Sequence, residues 1–210
     1  TRTGIKERRI AGDAVQLSEI AAEAGRKALA HAGMNPDEID MLIVATLSPE
    51  TLCPSTACLV QSRMGLRQVP AFDINVACSG WLYGLDVARS MMLANPTYRN
   101  VLVIGSEKLS SFTDWQDRQT CILFGDAAGA AVLSRVEEPG FGVLGCDLGA
   151  DGTNAALIQI PAGGSAKPAT LETVQAREHF LRMNGKEVFK VAVKAMSQAA
   201  MSILEKNGAT

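Results

Sequence analysis

The sequence predicts an α/β protein in which helices cover a mainly parallel β-sheet. Two apolar runs, MLIVAT at 41–46 and NVLVIGSE at 100–107, lack polar–apolar alternation, which is typical of strands buried on both faces. Segments with helical spacing of apolar residues lie between the strand-like runs, and this order favours stacked α/β layers. Aromatic residues make up only 5% of the chain, so we expect a core of aliphatic side chains.

Local patterns give the elements of the first part of the chain. Apolar residues recur every three or four positions at 17–33, and Gly33 is placed to end that helix. Asn95-Pro96 ends a later one. In chain order the predicted elements around the first apolar run are a helix over 17–33, a helix over 55–65, a strand over 70–78 and a helix over 79–94.

The glycine-rich middle of the chain predicts further strands. Two β-prone runs, at 120–135 and 140–152, have no long helix between them, so we expect antiparallel neighbours or a hairpin-like pair. The sequence VEEPG between these runs is the expected boundary between two domains, which would comprise residues 1–138 and 139–210.

The last segment, 185–210, has the pattern of a strong amphipathic helix and follows a loose connection at 162–178. The first helix leads directly into a buried strand, whereas the last helix reaches the end of the chain with no strand after it. The start of the sequence is similarly abrupt. We therefore expect the chain to be incomplete at both ends.

Composition excludes several classes of function. A net charge of −2 with no basic field argues against nucleic-acid binding, and the apolar runs are shorter than the roughly 20 residues of a membrane span. The basic N-terminus has no apolar segment of a signal peptide. Five cysteines without a C-x-x-C pair, together with only two histidines, make disulfides and a metal site poor interpretations. We expect a reducing cytoplasm, with most thiols buried as small hydrophobic groups.

Cys78 is the candidate nucleophile. It stands at the junction of a predicted strand and helix, and its neighbours Ala77, Ser79 and Gly80 are small enough for a tight turn. The unpaired N–H groups and the dipole at a helix N-terminus stabilise a thiolate, which can exchange with a thioester to form an acyl-cysteine. A buried, inert cysteine is the alternative interpretation. For the other four cysteines we favour packing roles, although Cys53 could line a pocket.

Two basic features could bind anionic partners. Arg118 lies near Trp115 in a polar loop, and its guanidinium suits phosphate, although a solvated loop charge is the alternative. Lys186, Lys190 and Lys194 follow one another at intervals of four on the last helix. Such a stripe could dock an acidic partner or could simply be a solvated helix face.

The chain resembles the ketoacyl-acyl-carrier-protein synthase III family, whose members are thiolase-like condensing enzymes. The matching stretches occur in the family's order over essentially the whole chain; they are TRTGIKERRI, PSTACLVQSRMG, AFDINVACSGWLYGLDVA, FGDAAGAAVL and NGKEVFKVAV. The resemblance implies a five-layered α-β-α-β-α fold built from two similar halves. This chain would supply the N-terminal half, with the nucleophile, and the start of the C-terminal half.

The resemblance also implies an activity. Cys78 would take an acyl group from acyl-CoA, and the acyl-cysteine would condense with malonyl-acyl-carrier protein to give a 3-ketoacyl-acyl-carrier protein and carbon dioxide. No cofactor or metal is implied, and the enzyme would be a cytoplasmic homodimer. The alternatives are a related acyl-cysteine acyltransferase of polyketide or secondary metabolism, and a non-catalytic partner subunit of a condensing enzyme.

Further residues match family positions. Arg2 and Arg118 match those that hold the CoA nucleotide, and Lys190 matches the carrier-protein docking surface, which extends the assignment to Lys186 and Lys194. The residues that match the walls of the acyl pocket are Leu109, Phe124, Ile158, Met183 and Gly185. The family's catalytic His and Asn would lie beyond residue 210. Cys53 stands where some relatives have a bulky residue, which suggests a roomier starter pocket.

Overall fold

The computed structural model describes residues 4–136, 138 and 140–208, which fall into two compact units. The sheet unit consists of Arg9–Lys108 and Asp126–Cys146. The helix unit consists of the described residues of Thr1–Arg8, Leu109–Gly125 and Asp147–Thr210. Each unit is therefore discontinuous in sequence. The expected domains of residues 1–138 and 139–210 stay a prediction.

A mixed four-stranded sheet forms the centre of the sheet unit. Its strands are β1 (Met41–Ala45), β2 (Ala71–Ile74), β3 (Asn100–Lys108) and β4 (Asp126–Ser134), and their spatial order is β2-β1-β3-β4. Strand β1 runs parallel to both β2 and β3, and β4 runs antiparallel to β3. The predicted α/β class and the mainly parallel sheet are confirmed.

Three helices cover this sheet. They are α1 (Leu17–Ala32), α2 (Thr56–Met64) and α3 (Gly80–Ala94). Gly33 and Gly65 end α1 and α2 in the left-handed conformation, with φ of 67° and 66°, where glycine carries no steric penalty. The predicted positions of all three helices are confirmed. They could be predicted because the start and stop signals of a helix are local in sequence.

The core lies on both faces of the sheet. Every residue of β1 is buried, which explains the lack of alternation in its sequence. Leu42 and Val44 belong to one apolar cluster with residues of α1 and α2, whereas Met41 and Ile43 belong to a second cluster with residues of α3. The alternate side chains of one strand thus anchor helices on opposite faces.

The helix unit contains two further helices and a short ladder. Its helices are α4 (Leu171–Gln175), within the expected loose connection, and α5 (Gly185–Lys206), as predicted. Strands β5 (Ile158–Gln159) and β6 (Arg182–Met183) pair antiparallel. No described residue of α5 is fully buried: Val188 and Ile203 are half-buried, whereas Phe189 and Met196 are exposed.

Two predictions about strands are wrong. Residues 140–152 form no strand, and β4 pairs with β3 instead of forming a hairpin with that segment. The segment contains five glycines, and Gly140 and Gly142 have φ of 81° and 93°, which interrupts an extended strand. The strand predicted over 70–78 is confirmed, but it is shorter than expected and ends at Ile74.

The expected burial of most cysteines is wrong as well. Cys53, Cys58 and Cys78 are exposed, and Cys121 and Cys146 are half-buried. Cys58, for example, lies on the solvent side of α2, whereas Ala57 and Val60 on its other side supply the core contacts. Among the described residues, no helix is both long enough and apolar enough to cross a bilayer.

Candidate active site

The sheet unit presents Cys78 on a sharp strand-to-helix turn. Strand β2 ends at Ile74, the 3₁₀ turn Ala77–Ser79 follows, and α3 begins at Gly80. Ala77 has a φ of 45°, a left-handed conformation that costs an L-residue roughly 1–2 kcal/mol. Cys78 itself is exposed. The strained Ala77 lets the chain turn sharply between β2 and α3, so that Cys78 lies exposed just before the first residue of the helix. A sharp strand-to-helix turn of this kind is a geometry that favours a nucleophile.

Two glycines bring the first turns of α3 close to the sheet. A Cβ at Gly80 would lie 3.0 Å from the Cβ of Ala45, the last residue of β1. A Cβ at Gly84 would lie 2.9 Å from Cγ1 of Val103 in β3. The helix N-terminus is thus fixed at the carboxyl end of β1, which is the edge where open parallel sheets bind their ligands.

Glu107, near the carboxyl end of β3, is a half-buried acidic group that the sequence analysis missed. Its carboxylate accepts hydrogen bonds from the backbone N–H of Leu47 at 2.8 Å and from the hydroxyls of Thr46, at 3.3 Å, and Ser48. Burial raises the pKa of Glu107, and the hydrogen bonds, chiefly that from Ser48, partly oppose the rise. The carboxylate thereby ties the segment after β1 to the end of β3.

Arg118 lies in the helix unit on a short loop, Asp114–Thr120, which we call the Arg118 loop. Thr113, which precedes the loop, and Thr120, its last residue, are buried. Between them Arg118 is exposed and Trp115 is 53% exposed. Arg118 makes no hydrogen bond or ion pair with any other described residue. An exposed indole and an exposed guanidinium thus lie on the same loop, and their joint role in binding stays a prediction.

An ion pair that the sequence analysis missed fixes the start of this loop. Arg177 donates from Nε to Oδ2 of Asp114 at 3.0 Å and from Nη2 to Oδ1 at 2.5 Å. The hydrogen bonds from Arg177 lower the pKa of Asp114 to about 2. The two residues are 63 positions apart in sequence, so no local motif indicates the contact.

The residues expected to line the acyl pocket all belong to the helix unit. Ile158 and Met183 are direct partners in the β5–β6 ladder. A Cβ at Gly185 would lie 3.5 Å from Cε of Met183. Leu109 begins a 3₁₀ turn and is half-buried, as is Phe124. The structure thus brings three of the five predicted residues together, while Arg2 lies outside the described residues.

The predicted basic stripe lies on α5. Lys186, Lys190 and Lys194 are all exposed, and Lys190 forms an ion pair with Glu187 at 2.9 Å. Neither Lys186 nor Lys194 pairs with an acidic group in the described part of the chain. Two of the three ammonium groups are therefore available to an external anion.

Within the described ranges, no cluster of three or more His, Cys, Asp or Glu side chains could hold a metal ion. Helices on both faces of a mixed sheet, with a cysteine on a sharp strand-to-helix turn, define the thiolase-like class of fold that the sequence predicts. Comparisons with known proteins support this class and narrow it.

A profile of the family described as 3-Oxoacyl-[acyl-carrier-protein (ACP)] synthase III matches residues 72–152. The beta-ketoacyl-[acyl-carrier-protein] synthase III of Natranaerobius thermophilus is 53% identical over 208 residues, which cover 98% of this chain and 63% of that protein. The synthase III of Caldanaerobacter subterraneus is 52% identical over 210 residues, or 100% of this chain and 63% of the relative.

A solved structure agrees with these sequence relatives. The 3-oxoacyl-[acyl-carrier-protein] synthase III of Aquifex aeolicus superimposes with a TM-score of 0.85 at 42% identity, and the match covers 99% of this chain and 61% of that one. The chain belongs to the beta-ketoacyl-[acyl-carrier-protein] synthase III family. It spans about 63% of the length of these curated relatives.

Proposed function

We propose that Cys78 carries an acyl group in the first half-reaction of a ketoacyl-acyl-carrier-protein synthase III. The Cys78 thiolate attacks the carbonyl carbon of an acyl-CoA, the tetrahedral intermediate collapses, and CoA leaves as its thiolate. The observation that carries the proposal is the exposed Cys78 on a strained turn at the start of α3.

The second half-reaction belongs to the complete protein. Loss of carbon dioxide from malonyl-acyl-carrier protein leaves a carbanion, which attacks the acyl-cysteine carbonyl and releases the Cys78 thiolate. The product is a 3-ketoacyl-acyl-carrier protein. By the family resemblance, the His and Asn that assist this step follow residue 210, in the rest of a second thiolase-like half that begins near residue 139.

The helix unit supplies the binding surfaces of this proposal. Arg118, together with Arg2, binds the phosphates of the CoA nucleotide, and its guanidinium is exposed and unpaired among the described residues. The acyl chain contacts the apolar residues around the β5–β6 ladder; the assigned pocket residues are Leu109, Phe124, Ile158, Met183 and Gly185. Lys186, Lys190 and Lys194 dock the acidic carrier protein, with attraction that depends on salt concentration.

We further propose that the protein is a cytoplasmic homodimer without a cofactor. In the sheet unit β2 is an edge strand, and an edge strand presents unpaired N–H and C=O groups to a second copy. Cys53 is exposed and follows Leu52, which is 91% exposed. Cys53 stands at the position where some relatives have a bulky residue, and its small side chain leaves room for branched or longer starter acyl groups. A strict preference for acetyl-CoA in a survey of starters would contradict that proposal.

Acylation can be tested on the complete protein by intact mass spectrometry after incubation with acyl-CoA. We expect one acyl adduct, which disappears in Cys78→Ala. Cys58→Ala is the matched control, because Cys58 is also an exposed thiol in the sheet unit, near the start of α2. An adduct that survives in Cys78→Ala and disappears in Cys58→Ala would move the nucleophile to Cys58.

Product analysis then separates condensation from the alternatives. With malonyl-acyl-carrier protein, the proposal requires 3-ketoacyl-acyl-carrier protein and carbon dioxide in equal amounts. Transfer of the acyl group to an alcohol or amine would instead identify an acyltransferase. If neither the condensation product nor an acylated alcohol or amine forms, the result would favour a non-catalytic subunit.

A further inference from the structure

The Arg118 loop is held by its own aspartates. The Asp114 carboxylate accepts from the backbone N–H of Gln116 at 2.9 Å, and the Asp117 carboxylate accepts from Gln119 N–H at 2.9 Å and from the Thr120 hydroxyl at 3.0 Å. These bonds fix the local turns. They do not by themselves attach the loop to the rest of the helix unit.

Arg177 supplies that attachment. It follows α4 and has a φ of 58°, a left-handed conformation that is unfavourable for a residue with a Cβ. From this position its guanidinium forms the two-pronged pair with Asp114 and lies 4.8 Å from the centre of the Phe180 ring. A backbone hydrogen bond from Leu181 to Phe112, at 2.8 Å, joins the same two segments.

The Asp114 carboxylate therefore has two functions at once. One oxygen, Oδ1, accepts from both Gln116 N–H in the loop and Nη2 of Arg177 outside it. Arg118, four residues later, makes no hydrogen bond or ion pair of its own among the described residues that would orient it. The direction of its side chain thus depends on the backbone that Asp114 holds.

We propose that Arg177, acting through Asp114, is a positioning residue that orients Arg118 for the phosphates of the CoA nucleotide. This inference rests on the proposed function. A pre-oriented guanidinium loses less conformational freedom when the ligand binds, so affinity for the nucleotide part of CoA depends on the ion pair. Arg177 itself does not touch the ligand.

The test measures binding of adenosine 3′,5′-bisphosphate, the nucleotide end of CoA, to the complete protein by calorimetry. Arg177→Gln and Asp114→Asn should each weaken binding about three- to tenfold, the range expected when one long side chain must be ordered on binding. Arg177→Lys, which keeps the charge but loses the two-pronged geometry, should give a smaller loss. Asp147→Asn is the matched control, because it removes a similar ion pair, with Lys206 at 2.6 Å, elsewhere in the helix unit.

A double-mutant cycle separates positioning from general structural damage. If Arg177 acts through Arg118, then Arg118→Ala with Arg177→Gln should bind no more weakly than Arg118→Ala alone. Additive losses, or equal losses in the Asp147→Asn control, would overturn the positioning role. Acylation of Cys78 by an acyl-pantetheine thioester, which lacks the nucleotide, should keep its KM in Arg177→Gln.

The outcomes also distinguish this inference from the proposed function. Nucleotide affinity that is unchanged in Arg177→Gln overturns the inference, even when Cys78 is acylated normally. Affinity that depends on Arg177 in a protein whose Cys78 is never acylated supports the positioning role and contradicts the proposed chemistry. Failure of the unsubstituted protein to bind the bisphosphate contradicts the inference and the assignment of Arg118 to the CoA nucleotide, whereas acylation of Cys78 is decided by its own assay.

Discussion

Replacing Ala77 by glycine tests whether the turn that carries Cys78 stores strain. Ala77 has a φ of 45°, where an L-residue loses roughly 1–2 kcal/mol relative to glycine. Glycine makes the unfolded chain more flexible, which costs about 0.4–1 kcal/mol. Because Ala77 is exposed, little packing is lost. The expected net effect of Ala77→Gly is a gain of about 1 kcal/mol in the free energy of unfolding.

The matched control is Ala176→Gly. Ala176 is also exposed and lies outside a helix, at the end of α4, but its φ of −74° is ordinary for any residue. The same substitution should therefore lower stability there by about 0.4–1 kcal/mol. Urea unfolding of the two variants of the complete protein, beside the unsubstituted protein, gives both differences. A loss of stability in Ala77→Gly equal to that in Ala176→Gly would refute the strain argument.

Activity should change in the opposite direction from stability. Glycine permits several backbone conformations at position 77, so the neighbouring sulfur is held less firmly at the start of α3. Misplacement of a reacting group by about 1 Å can cost on the order of 100-fold in rate, and we expect the acylation rate of Ala77→Gly to fall about tenfold. Rapid-quench measurement of the Cys78 adduct provides the rate. An unchanged rate would mean that the strained residue does not orient the nucleophile.

Three other predictions test the scaffold, each by urea unfolding. Gly84→Ala should lower the free energy of unfolding by about 1 kcal/mol, because overpacking against β3 outweighs the helical preference of alanine. Gly129→Ala is the control and should cause no such loss, because its Cβ would meet no atom within 4 Å. Asp73→Ala should lose about 1.5–3 kcal/mol, because its carboxylate accepts from two N–H groups at the start of α2, at 2.6 and 2.7 Å. Burial raises the pKa of Glu107 in the folded protein above the ordinary value of 4.5. The folded state therefore holds the carboxyl proton more tightly than the unfolded state does, and the free energy of unfolding falls as the pH rises from about 4.5. Glu107→Gln should flatten that fall.

The elements that the sequence predicts correctly are those whose signals are local. Gly33 ends α1 because the left-handed residue after a helix favours glycine, and this preference is legible without knowledge of the fold. The wholly apolar sequence of β1 likewise reflects its burial on both faces. Residues 140–152 show the limit of such reasoning. Their side chains are β-prone, but a strand needs a partner, and β4 pairs with β3 instead.

In the candidate site, too, the sequence predicts the features that have local signals and misses those that depend on distant residues. The small residues around Cys78 indicate the tight turn directly, but the sequence gives no sign that Ala77 is left-handed, since alanine is not a residue that favours that conformation. The partners of Glu107 are 59 to 61 positions earlier in the chain, and Arg177 is 63 positions from Asp114. Contacts at that separation depend on the tertiary fold. The assigned pocket and docking residues stay predictions.

The exposure of Cys78 follows from how closely α3 approaches the sheet. Gly80 and Gly84 leave no room for a Cβ between the helix and β1 or β3, so α3 cannot slide outward without opening a gap in the core cluster it shares with Val103. With the helix fixed, the chain must reverse direction between Ile74 and Gly80, and the left-handed Ala77 makes that reversal possible. The sulfur is consequently held outside the core by a rigid scaffold. A cysteine that served only as a small apolar filler would need neither the strained residue nor the two glycines.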